Sequence, residues 1–228
     1  MRKKFALILL VGAMALALAS TNAAWADETG NMVSFRGGWA GLTSNRGNEV
    51  FTDVFGNSGV RNDSSSGYYV GGALDMVLSK DVWGMMGKTW ALGEIGVEYK
   101  EWNSNVTALQ GAPVLTPLGQ VHRGVNLTML TVDIAPKIKF MEGSALRPWI
   151  IPVGLDFHVI SPPSNATTYL DVGAQFGAGA EYRIYKAFHL GLDARFHLAS
   201  GATGTTNNFG TVGAYVGISF QRAGFLGG

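Results

Sequence analysis

The stretch Ala187-Phe188-His189-Leu190-Gly191-Leu192-Asp193-Ala194-Arg195-Phe196-His197-Leu198-Ala199-Ser200 alternates without interruption. Phe188, Leu190, Leu192, Ala194, Phe196 and Leu198 share one side, and His189, Gly191, Asp193, Arg195 and His197 share the other. A period of two marks a β-strand, because successive side chains leave the pleat on opposite faces. An α-helix would scatter the same apolar set around its circumference. This stretch is a strand with one apolar and one polar face.

The pattern recurs on both sides of it. In Tyr169–Tyr185, Leu170, Val172, Ala174, Phe176, Ala178, Ala180, Tyr182 and Ile184 oppose Asp171, Gly173, Gln175, Gly177, Gly179, Glu181 and Arg183. At the end of the chain Val212, Ala214, Val216, Ile218 and Phe220 oppose Gly213, Tyr215, Gly217, Ser219 and Gln221. Earlier strands are expected at Val33–Leu42, Tyr68–Leu78, Trp90–Trp102, Val125–Phe140 and Trp149–Ile160. These make eight, an even number that allows antiparallel closure.

Alternation alone also fits a soluble antiparallel sandwich with its apolar face inward. Three features favour the inverse arrangement, apolar outside and polar inside. The polar face is crowded with glycine (Gly71, Gly154, Gly173, Gly177, Gly179, Gly191, Gly213, Gly217, and Gly93 or Gly96), which suits a cramped interior. The strands run 10 to 17 residues, near or above the ~9–11 that a tilted membrane strand needs and beyond the ~5–6 typical of globular sheets. Aromatics gather at strand ends, with Trp90, Phe140, Trp149, Tyr182, Tyr185, Phe188 and Phe220 at one rim and Tyr68, Tyr99 and Trp102 at the other. Two girdles are what a bilayer with two interfaces asks for. The expected fold is all-β, an eight-stranded antiparallel up-and-down transmembrane β-barrel.

Composition agrees. Only 14% of the 228 residues are charged, against ~25% in ordinary soluble domains. With no cysteine, disulfide scaffolds, zinc-thiolate sites and thiol enzymes are excluded. A formal charge of +1 argues against nucleic acid as a partner. Residues 1–26 have the three-part layout of a cleaved secretory signal peptide: Arg2, Lys3 and Lys4, an apolar run Phe5–Ala19, and Ala24-Trp25-Ala26 before a cut at Asp27. An uncleaved anchor is the alternative, but 15 apolar residues fall short of the ~17 needed to span. The barrel then occupies residues 27–228.

With a periplasmic N-terminus, the outer connections are 43–67, 102–124, 161–167 and 200–209, and the inner ones are 79–89, 141–147 and the turn Tyr185-Lys186. Long outside and short inside is the asymmetry of outer-membrane barrels. The 79–89 turn is long for an inner connection. Pro136, Pro148 and Pro152 require bulges or strand ends, since a closed barrel has no free edge for a residue lacking N–H.

Signal peptide, alternating strands, long outer loops and a near-terminal aromatic together resemble the small outer-membrane barrels of the OmpA/OmpX and opacity-protein type, over residues 33–222. The resemblance implies export to the bacterial outer membrane, insertion by the barrel-assembly machinery, and contact with lipopolysaccharide and phospholipid. Such proteins usually finish on an aromatic, whereas here Phe220 is followed by Gln-Arg-Ala-Gly-Phe-Leu-Gly-Gly. Phe220 or Phe225 must serve, or the tail is displaced.

The inward face should carry Arg36, Lys100, Lys137, Lys139, Arg183 and Arg195 against Asp75, Glu94, Glu98, Asp133, Asp156, Asp171, Glu181 and Asp193, with His158, His189 and His197. An eight-stranded barrel has room inside only for side chains, so near-balanced charge implies a paired, plugged lumen. Arg195, Asp193, Glu181 and Arg183 are expected to neutralise one another. Glu94 and Glu98 are the nearest carboxylate pair for acid–base work, but a structural salt bridge is the plainer expectation. His189 and His197 share a face but lie ~26 Å apart along a strand, so no metal site is expected. No cofactor and no catalytic residue is assigned.

An enzyme reading rests on Arg195-Phe196-His197-Leu198-Ala199-Ser200, which is similar to the strand motif of lipid A deacylases of the PagL type. There His and Ser are separated by one residue and share a face. Here they are three apart, and no acid follows Asp193. OmpW-type barrels, similar in length and strand number, imply passage of small hydrophobic molecules through an apolar lumen, which the charged face opposes. The sequence therefore points to a non-enzymatic barrel with a structural or adhesin-like role. Any extracellular ligand is expected at the loops 43–67 and 102–124, the first with Phe51, Phe55 and a polar tip Arg61–Gly67.

Overall fold

The computed structural model describes residues 30–43, 66–109, 122–161, 169–200 and 207–220. The expected signal peptide, most of the loop 43–67 with Phe51 and Phe55, the segment 162–168 and the tail with Phe225 lie outside the described residues. Eight strands follow in chain order: β1 (Asn31–Leu42), β2 (Ser66–Ser79), β3 (Trp90–Leu109), β4 (His122–Lys139), β5 (Leu146–Ser161), β6 (Tyr169–Tyr185), β7 (Phe188–Ala199) and β8 (Phe209–Phe220). Each pairs antiparallel with its neighbour, and β8 returns to β1 with register Phe35↔Val216 to close the barrel. Closure leaves no unpaired edge.

The alternation decides which side faces in. Leu192 is 68% exposed and Leu170 62%, whereas Glu98, Asp133 and Asp156 on the opposite face are fully buried. Apolar outside and polar inside is the arrangement expected from the glycine-rich polar face. A Cβ at Gly191 would strike the Tyr215 ring, and one at Gly213 would strike the Tyr69 hydroxyl. Each glycine makes room for an aromatic ring on the adjacent or facing wall.

Three boundaries differ clearly from expectation. β3 and β4 continue past Trp102 and before Val125, pairing Val106↔Val125 through Leu109↔His122 after an irregularity between Trp102 and Val106. Of the loop expected at 102–124, residues 102–109 and 122–124 therefore belong to paired strands that extend the wall, and 110–121 lie outside the described residues. β5 starts at Leu146, three residues before Trp149. The prolines behave as chain chemistry demands. Register shifts fall between Ile134 and Ile138 in β4–β5 and between Ile151 and Gly154 in β5–β6, around Pro136 and Pro152, while Pro148 lies near the start of β5.

Trp39, Tyr68 and Tyr99 form the outward aromatic ring at the loop end. The Trp39 indole N–H donates to Ser66 Oγ at 2.7 Å, and the Tyr68 and Tyr99 hydroxyls donate to Glu101 at 2.9 and 3.1 Å. Tyr182, Tyr185, Phe188 and Phe220 face outward at the end where β8 finishes. Trp90, Trp102 and Trp149, expected in the rings, are instead almost wholly buried inside.

The connection between β2 and β3 is built rather than slack. Trp83 N donates to Ser79 Oγ at 2.8 Å, Met86 N to Asp81 O at 2.9 Å, and Glu142 N of the β4–β5 turn to Lys88 O at 3.0 Å. The Ser79 hydroxyl donates to Asp81 at 2.8 Å and, with the Gly84 amide, holds that carboxyl below its ordinary range. Val82, Trp83 and Lys88 all have positive φ, at 51°, 55° and 57°. For bulky residues that costs on the order of 1–3 kcal/mol each, sustained only when surrounding bonds over-determine the turn.

Candidate functional site in the barrel lumen

Every inward position of eight strands converges on one narrow space, so the lumen is where charged side chains meet. At the loop end it is closed by an apolar cap of Ala40, Tyr69, Trp102, Met129, Ile160 and Phe209, with Trp102 and Phe209 edge to face at 5.7 Å. Beneath the cap His197 stacks on Phe209 at 4.2 Å and its Nδ1 meets Asp156 at 2.7 Å. His158 Nδ1 meets Thr131 Oγ1 at 3.0 Å, and Lys100 donates to both Thr131 and Glu98, at 3.0 and 2.5 Å.

The centre is an ion-pair network with Glu94 at its hub. Glu94 Oε1 accepts from Arg36 of β1 at 2.8 Å and from Arg195 of β7 at 2.6 Å, while Oε2 accepts from Lys137 of β4 at 2.9 Å. Arg36 also meets Glu98 at 2.6 Å and Asp133 at 3.0 Å. Arg195 reaches Asp193 at 3.0 Å, whose other oxygen accepts from the Tyr69 hydroxyl at 3.0 Å. Lys137 completes the set with Asp75 at 2.9 Å. Burying such ions costs several kcal/mol apiece unless each is paired and hydrogen-bonded, so the network is obligatory once the charges are inside.

A second apolar layer, Met32, Ala135, Trp149, Ile151 and Tyr215, lies on the far side. The Trp149 indole donates to Tyr215 at 3.0 Å, and the Lys137 ammonium sits 4.3 Å from the Trp149 ring centre. Towards the β8 end Glu181 meets Lys139 at 2.9 Å and His189 at 3.5 Å, and the Arg147 guanidinium lies 3.9 Å over Trp90. The pocket among these residues measures about 10 Å³, room for about one water.

The expected quartet of Arg195, Asp193, Glu181 and Arg183 does not assemble. Glu181 opposes Gly191 and Arg183 opposes His189, as counting from the β6–β7 turn gives. That register puts Glu181 four residues down the wall from the level of Arg195, ~13 Å along the strand. Arg195 crosses the lumen to Glu94 instead, and Glu181 turns to Lys139. Arg183 lies half-buried at the mouth, outside the central network. Glu94 and Glu98, the adjacent carboxylates, are each held by cations and do not face one another as an acid–base pair.

Nor do the PagL-like residues come together as a triad. His197 points inward to Asp156, and the Ser200 hydroxyl donates to Asp171. Among the described residues no group of three or more His, Cys, Asp or Glu is arranged to hold a metal ion. The residues not foreseen for the lumen are one cation, Arg147, which the earlier start of β5 brings inside, and the aromatic or neutral Tyr69, Trp90, Trp102, Trp149, Thr131 and Phe209.

No protein-family model matches the chain, and no curated protein matches it. Among solved structures it is similar to Neisserial surface protein A, at 12% identity and TM-score 0.50, covering 83% of this chain and 97% of that one. It is also similar to the outer membrane enzyme PagL, at 14% identity and TM-score 0.46 over 83% and 99% of the two chains. Ail, the attachment invasion locus protein of Yersinia pestis, follows at 9% identity and TM-score 0.39, again over 83% and 99%. The likeness is one of fold: this chain has the architecture of the small eight-stranded outer-membrane barrels.

Proposed function

We propose that the protein is a non-enzymatic integral barrel of the bacterial outer membrane, plugged by its own side chains, with a structural or adhesin-like role exerted through its outer loops. The hub at Glu94 carries this reading. A solute crossing the barrel would have to break ion pairs to cations from three strands and displace an apolar layer on either side. Lipopolysaccharide and phospholipid are then partners of the outer wall, the barrel-assembly machinery is the partner during insertion, and any extracellular ligand meets the loops around 43–67 and 110–121. A β7 of 12 residues rises roughly 30 Å at the ~40° tilt of such barrels, enough for their ~25 Å apolar band.

Reconstitution in planar bilayers tests the plug. The expected result is no stable single-channel current. A sustained, selective current would replace this reading with a small transporter of the OmpW kind. Lipid profiles of cells carrying Ser200→Ala test the absence of catalysis, with an unchanged profile expected and loss of a deacylated lipid species counting against it.

A further inference from the structure

We infer that the β2–β3 turn is an interfacial anchor whose tip, Trp83, Met85 and Met86, lies in the headgroup region of the phospholipid leaflet at the β8 end of the barrel. The inference rests on the barrel being membrane-inserted, as proposed above. Trp83 is 67% exposed, Met85 73% and Met86 46%, and Met141 of the adjoining turn is 50% exposed. The exposure is not fraying. Backbone and Ser79 hydrogen bonds tie the turn to itself and to the β4–β5 turn, and Val82 is buried beneath it.

A water-facing connection has a cheaper solution. The β6–β7 turn manages with Lys186 and Ala187, and polar turns favour Gly, Asn, Asp and Ser at left-handed positions. Here the left-handed backbone falls on Val82 and Trp83, as it falls on Lys186 in the β6–β7 turn, but Val82 is buried and the side chain displayed, Trp83, is apolar rather than charged. Leu78, 57% exposed on the outward face of β2, immediately precedes the turn, so the tip continues the apolar wall. Lys80 and Lys88 flank it, both exposed. A Trp with unbranched methionines between lysines is the composition of a segment lying at a lipid interface, where the indole sits at headgroup level and lysine stems run toward the aqueous side. Continuity with the lipid-facing wall favours lipid over a protein occupant.

The chain has no cysteine, so single nitroxide labels are clean. Met85→Cys, Met86→Cys and Leu192→Cys are labelled separately in the whole barrel, checked for folding by unboiled gel migration, and placed in vesicles of phosphatidylethanolamine and phosphatidylglycerol. Relaxation by oxygen, which enters the bilayer, is compared with relaxation by a water-soluble nickel chelate. Oxygen is expected to dominate at Leu192 and at both methionine positions, with the ratio at the methionines several-fold below that at Leu192. Nickel dominance at both methionines with oxygen dominance at Leu192 overturns the anchor and leaves the barrel standing. Nickel dominance at all three overturns the inserted barrel itself. Shielding of the methionines in whole envelopes but not in vesicles overturns the lipid assignment in favour of a protein partner.

Discussion

A double-mutant cycle on Arg195 separates the cross-lumen network from a network confined to neighbouring strands. Arg195→Met removes one of the three cations on Glu94 and one of two donors to Asp193, leaving Arg36 and Lys137 on the first and the Tyr69 hydroxyl on the second. Breaking a buried pair from one side costs about 3–5 kcal/mol, and the surviving partners place this case near 3. Glu94→Gln strips the counter-charge from three buried cations, but each keeps another carboxylate, so its cost is about 3 kcal/mol as well. The double variant strands fewer charges than the two singles together, and it should be less destabilised than their sum by about 1–3 kcal/mol. Arg195→Met with Glu181→Gln should add within about 0.5 kcal/mol, since those residues sit at levels ~13 Å apart. Urea unfolding in vesicles, followed by tryptophan fluorescence and by the folded band on unboiled gels, measures all five variants. Coupling to Glu181 that equals or exceeds coupling to Glu94 would refute the assignment of partners.

Three substitutions test the faces, and heating tests the closure. Leu192→Arg puts a charge on the outward wall near mid-strand and should cost about 2–4 kcal/mol; Gly191→Ala drives a methyl into the Tyr215 ring and should cost about 1–3 kcal/mol, while Gly93→Ala, whose Cβ would meet Leu78 at an ordinary 3.6 Å, should stay within about 0.5 kcal/mol. Equal tolerance of all three, measured by the same urea curves, would mean the walls are misassigned. Closure itself predicts that unboiled protein migrates differently from boiled protein on a denaturing gel and fractionates with membranes, and co-migration with recovery in the soluble periplasm would contradict it.

Period two made the fold legible, because in a closed sheet the parity of a residue is its address. Parity placed Asp193, Arg195 and His197 inside and Leu190, Leu192 and Phe196 outside, and counting from Tyr185-Lys186 gave the β6–β7 register. It did not give the partners. In a barrel this narrow a long side chain reaches across the lumen as easily as along the wall, so Arg195 meets Glu94, 101 residues away in sequence. The interior aromatics were hidden for two different physical reasons. Trp102 shares the parity of Glu98 and Lys100 and was legible as inward on that count, but an aromatic near a strand end also fits a girdle, and residue type competed with address. Trp149 could not be placed by parity from Asp156 and His158, because the register shift between Ile151 and Gly154 leaves Pro152 and Val153 both facing out and reverses the phase. The proline that breaks the ladder is therefore also what turns Trp149 inward to seal the lumen beside Tyr215. Interior packing and strand irregularity are one feature here: the plug closes on that side because β5 changes phase within the wall.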